Sequence, residues 1–121
     1  ATGTRPLLAA DGPDRATARG RTGSWSDPRD GYVVELRAGQ RLTARLRGSG
    51  AGDLDLVLWR PGARGGRRGR AYARTWLASA SLGPSASESL DYLASTGGRY
   101  TLEVQGVRAA ADYTLTAGRA P

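Results

Sequence analysis

The chain has 121 residues and a formal net charge of +7, with no cysteine and no histidine. That length supports one domain with a core of its own. The missing residue types exclude thiolate and imidazole catalysis, zinc sites built on those ligands, and any triad with a histidine base.

All 18 basic residues are arginine, and isoleucine, asparagine, phenylalanine and methionine are absent along with lysine. We read this bias as the mark of a GC-rich genome, so part of the positive charge reflects coding pressure. The balance still favours adhesion to polyanions. No stretch approaches the roughly 18 apolar residues of a membrane-spanning helix. The chain opens ATGTRPLLAA without an initiator methionine, which reads as a leader removed or a domain excised.

Residues 1–26 are rich in Gly, Ala, Thr, Asp, Pro and Arg and show little periodicity, so they read as an extended arm with a short strand at RPLLAA, Arg5–Ala10. From Asp30 the pattern turns to period-two alternation, the mark of half-buried strands. GYVVELR places Tyr32, Val34 and Leu36 on one face, and QRLTARLR does the same for Leu42, Ala44 and Leu46. DLDLVLW sets Leu54, Leu56 and Leu58 against Asp53, Asp55, Val57 and Trp59. RYTLEVQ turns Tyr100, Leu102 and Val104 inward, and DYTLTA closes with Tyr113, Leu115 and Ala117. Weaker strands fall at 72–82 and 88–93. RAGQ, RGSGAG, STGG and GVRAAA supply turns between them. About seven or eight short strands without a helical period predict an all-β sandwich or barrel in one domain.

PGARGGRRGR, residues 61–70, joins two of these strands. Its Pro-Gly and Gly-Gly pairs are turn formers, and the crowded arginines keep it in solvent. It reads either as a solvated loop or as a contact for a polyanion such as a cell-wall polymer, an acidic polysaccharide or an anionic protein. The contact residues would be Arg64, Arg67, Arg68 and Arg70 with the aromatics Trp59, Tyr72 and Trp76. Specific nucleic-acid readout is not expected, because those aromatics follow no RNA-binding signature. Trp59 lies on the strand face opposite the leucines, either exposed for binding or packed beneath the arginine-rich loop. Asp53 and Asp55 share a strand face, which suits a structural pair better than carboxylates set across a substrate cleft; an arginine at 45 or 47 is the expected partner of Asp55. The serines have no base partner. The chain reads as no enzyme.

The run DGYVVELRAGQRLTARL, GDLDLVLWRPG, STGGRYTLEVQG and ADYTLTAG resembles the bacterial pre-peptidase C-terminal (PPC) domain, over about residues 27–117. The resemblance implies a single jelly-roll-like antiparallel β-sandwich at 27–118, with a short tail at 119–121. It also implies a secreted, extracellular bacterial module without catalysis, accessory to a secreted peptidase. In collagenase relatives an Asp pair ahead of the first core strand holds calcium, and Asp27 and Asp30 match it in spacing. The other role open to Asp30 is to pin the turn into that strand. No other cofactor is expected. The implied function is to bind a substrate, a surface polymer or a partner protein. The alternative is a structural subunit of an extracellular assembly, held through the arm and the sheet edges.

Overall fold

The computed structural model of the protein describes residues 4–22, 29–48, 54–62, 77–81, 87–106 and 111–121. Nine strands and no helix fall among them. In the front sheet β1 (Thr4–Leu8), β3 (Arg29–Leu36), β8 (Gly98–Gly106), β5 (Leu54–Trp59) and β6 (Leu77–Ser81) lie in that spatial order. The back sheet runs β2 (Arg15–Thr22), β9 (Ala111–Ala120), β4 (Arg41–Gly48) and β7 (Ser87–Leu93). Only β1 and β3 pair in parallel; the other neighbours are antiparallel. Every connection except β5–β6 passes from one sheet to the other. The result is a jelly-roll-like β-sandwich.

The alternating rows meet between the sheets. All fifteen inward positions read from β3, β4, β5, β8 and β9 are 4% exposed or less. Burial of this apolar surface is the main stabilising term in a chain with no covalent cross-link. The RAGQ turn closes β3 onto β4. Gln40 N donates to Arg37 O at 3.0 Å, and Gly39 takes a φ of 89° at the position where a type II turn calls for glycine. Gly39 N and Ala94 N then bond across to Ala94 O and Gln40 O, at 2.8 Å each, and tie the turn to the end of β7.

The N-terminal residues depart from the expected arm. Thr4–Leu8 pairs along β3 and Leu8 is fully buried, while Arg15–Thr22 pairs with Ala111–Gly118 of β9. Pro6 is tolerated because β1 is an edge strand, where one missing N–H costs no internal ladder bond. The RPLLAA segment therefore completes the chain's own sheet instead of standing free for a neighbour. The expected tail is also structured, since Arg119 and Ala120 belong to β9.

Candidate functional site

Asp30, read from the sequence as a calcium ligand or a turn pin, is 2% exposed at the start of β3. Tyr113 Oη of β9 donates to Asp30 Oδ2. Tyr32 Oη lies 2.8 Å from Tyr113 Oη, and because that phenol's proton goes to Asp30, Tyr32 is the donor between them. Arg5 Nη2 donates in turn to Tyr32 Oη at 3.0 Å, with its guanidinium carbon 4.9 Å from the Tyr32 ring centroid. A chain of hydrogen bonds thus runs from a cation on β1 through Tyr32 to Tyr113 of the opposite sheet and back to a buried carboxylate on β3. Burial pushes the Tyr113 phenol far above its ordinary range, and the bond to Asp30 adds to the shift.

Calcium takes six to eight oxygen ligands, roughly speaking, and the described residues around Asp30 do not gather such a set. One carboxylate oxygen of Asp30 is engaged by a phenol inside the core. Asp14 pairs with an arginine, and no group of three or more acidic residues gathers among the described residues. Asp27 lies outside them.

Trp59 is not presented to a ligand. It is 1% exposed, and its Nε1 donates to Glu103 Oε1 at 3.2 Å. Gln105 Nε2 reaches the same oxygen at 2.7 Å. Val57, Trp59, Glu103 and Gln105 are all 9% exposed or less, so the outer face of β5 and β8 is covered as well as the inner one. Strict alternation places these residues outward and does not say whether that face is covered. Asp55 stands opposite Gln105, while Arg45 and Arg47 belong to the other sheet, so the expected cross-strand pair does not form. Arg64, Arg67, Arg68, Arg70, Tyr72 and Trp76 lie outside the described residues.

Arg119 is a residue that the sequence reading missed. It is 8% exposed, and its guanidinium donates to Asp14 Oδ1 at 2.8 Å, Glu35 O at 2.6 Å, Ala9 O at 2.7 Å and Gly12 O at 3.1 Å. It clamps the β1–β2 connection against β3 and forms part of a cleft of about 270 Å³ with Asp14, Glu35, Arg37 and Gln40. Its donors are committed to the Asp14 carboxylate and to the protein's own backbone carbonyls, which makes the cleft a structural joint. A lone charged residue near a chain end carries no sequence signal of such a role.

The outer face of the back sheet is different in kind. Arg15, Arg19 and Arg21 project from β2, and Arg41, Arg45 and Arg47 from β4; all six are exposed. Asp112 bonds Arg21 and Asp91 bonds Arg41, each at 3.0 Å and each solvent-exposed. Pairs of that kind contribute little. The other four arginines make no ion pair among the described residues. The sheet register places Arg19, Thr114, Arg47 and Ser87 in one row, with Thr17, Thr116, Arg45 and Ser89 in the next. Hydroxyls therefore flank the central guanidiniums.

This fold has solved counterparts. Aeromonas hydrophila PliG, a periplasmic lysozyme inhibitor of g-type lysozyme, superimposes with a TM-score of 0.70 at 18% identity, over 97% of this chain and 96% of its own. The pre-peptidase C-terminal domain of Bacillus anthracis collagenase gives 0.66 at 13% identity, over 98% and 95%. Salmonella Typhimurium PliG gives 0.59 at 19%, over 98% and 100%. No family model matches the chain, and no curated protein matches it significantly. The class is thereby set: a β-sandwich with the fold shared by the PPC domain and the PliG inhibitors, as the sequence resemblance implied.

Proposed function

We propose that the protein is a non-catalytic recognition module that works outside the bacterial cytoplasm and attaches a secreted enzyme to its substrate or to the cell surface. The observation that carries this reading is the extent of the fold match. The pre-peptidase C-terminal domain of a collagenase and this chain superimpose over nearly all of both, so the correspondence involves the whole unit and not a shared fragment. The exposed arginine face offers a surface on which binding would occur. No helix among the described residues is long and apolar enough to cross a membrane.

The PliG structures favour a second reading, a protein inhibitor of a lysozyme, because they match the chain at comparable extent. The structural-subunit alternative is weaker in its original form, since the segment expected to reach a neighbour pairs with β3 of the same chain. Sedimentation separates the readings. The purified protein, spun with peptidoglycan sacculi or collagen fibrils, should pellet with at least one of them and release no soluble product. Stoichiometric loss of g-type lysozyme activity on adding the protein would favour the inhibitor. Product release in proportion to the protein added would contradict a non-catalytic role.

A further inference from the structure

We infer that the outer face of the back sheet is a docking surface for a linear acidic polysaccharide, its carboxylates held by Arg19, Arg45 and Arg47 and its sugar hydroxyls by the intervening threonines and serines. The inference rests on the recognition-module reading and names the partner and the surface.

Charge segregation is the first argument. A coding bias toward arginine explains how many there are but not where they stand. Among the described residues, the outer face of the front sheet mixes Glu35, Asp55 and Glu103 with Arg99, whereas the outer face of the back sheet gathers six guanidiniums and two carboxylates. Nothing in strand formation requires that asymmetry, since threonine or serine would serve an exposed strand position equally well.

Geometry is the second. Arg45 and Arg47 are two residues apart on β4, hence about 7 Å apart along the strand, and Arg47 and Arg19 lie two strands apart, about 10 Å across the sheet. The grid presents repeated cationic forks on an open face, which suits an extended polymer with regularly spaced anionic groups. A small molecule would call for an enclosed pocket instead. Arg47 stands between two shallow depressions, one bounded by Arg45, Ser87, Glu88 and Ser89 and the other by Arg19, Arg21, Asp112 and Thr114, so in each the guanidiniums outnumber a single carboxylate. A guanidinium pairs with a carboxylate through two parallel N–H bonds. Each hydroxyl beside it both donates and accepts, as a sugar hydroxyl requires.

The chemistry of the face argues against the other macromolecules. No aromatic side chain lies on it among the described residues, so an unpaired base would find nothing to stack on. A protein partner would call for a large apolar or aromatic centre. Here the centre is arginine, threonine and Gly118, and the exposed Leu93 sits at the β7 margin.

The test is binding of fluorescently labelled alginate, a linear polyuronate, to the full 121-residue chain, with neutral dextran and duplex DNA as comparators. The wild type should bind alginate at low ionic strength, weaken steadily as salt is added, and ignore dextran. R45T/R47T should weaken binding about tenfold or more while leaving the melting temperature nearly unchanged, since two exposed charge contacts are removed and no buried group is touched. R64S/R67S/R68S/R70S should leave it close to wild type. No alginate binding, undiminished binding by R45T/R47T, or duplex DNA bound as tightly as alginate would each overturn the inference. Failure here with retention on sacculi or fibrils would leave the recognition-module reading standing.

Discussion

Gly20 and Tyr113 face each other across β2 and β9, and the spacing between them decides what glycine is doing in a strand. A Cβ at Gly20 would come within 2.5 Å of the Tyr113 hydroxyl oxygen and 2.7 Å of its ring. Alanine for glycine in a strand ordinarily stabilises slightly by narrowing the unfolded ensemble. Here G20A is expected to destabilise by about 2 kcal/mol, because the phenol must leave Asp30 to make room. Tyr113→Phe keeps the ring and removes the hydroxyl, leaving a buried carboxylate without that donor, at a cost of about 1–3 kcal/mol by chemical denaturation. The pH dependence follows from the raised phenol. The folded state keeps the Tyr113 proton after an unfolded tyrosine has lost its own near pH 10, so stability is full below about pH 9 and falls above pH 10, at about 1.4 kcal/mol per unit for this group. Y113F should show a correspondingly shallower decline, and equal slopes in the two proteins would contradict the network.

The β1–β2 connection is held by a residue more than a hundred positions away, which makes Arg119 the element-scale joint of the fold. Replacing it with methionine leaves the carbonyls of Ala9, Gly12 and Glu35 without its donors and should destabilise by about 2–4 kcal/mol. R119K should recover only part of the loss, since one ammonium cannot reproduce the guanidinium fork. Hydrogen exchange should quicken at the Gly12 amide, bonded to Ala9 O, and at the residue 119 amide, bonded to Asp14 O. Unchanged exchange at both would contradict the clamp. The same region shows where sequence reading stops. β3, β4, β5, β8 and β9 were legible because Leu, Val and Tyr alternate with polar residues in each. β2 was not: RATARGRT alternates Arg and Thr with Ala16, Ala18 and Gly20, small residues that are only half buried and carry no hydrophobic period. Covered outer positions such as Trp59 and Glu103 defeat alternation in the other direction. The arginines of β4 were legible as outward-facing, whereas those of β2 were not, because no strand was readable there. Their meeting on one face depends on both strands pairing with β9, a long-range fact that local periodicity does not contain.

At the scale of the whole molecule, charge is distributed unevenly over a sandwich held together by its apolar interior. Four back-sheet arginines without ion pairs among the described residues repel one another at low ionic strength, whereas the Arg119–Asp14 pair, with the arginine side chain 3% exposed and the aspartate 72%, is screened less. Raising sodium chloride from about 10 to 150 mM should therefore raise the melting temperature by a few degrees, and by less in R45T/R47T. A melting temperature that falls with salt would show surface attraction to outweigh that repulsion. A linear polyanion should stabilise further by binding the native state alone. The most direct test of the account is a titration of the isotope-labelled protein with an alginate oligomer, followed residue by residue in amide NMR spectra. The account predicts saturable shifts concentrated at exposed positions of β2, β9, β4 and β7, centred on Arg19, Arg45, Arg47 and Thr114, with the front sheet unmoved. Shifts confined to residues 63–76 or to the front sheet, or none at all, would contradict it.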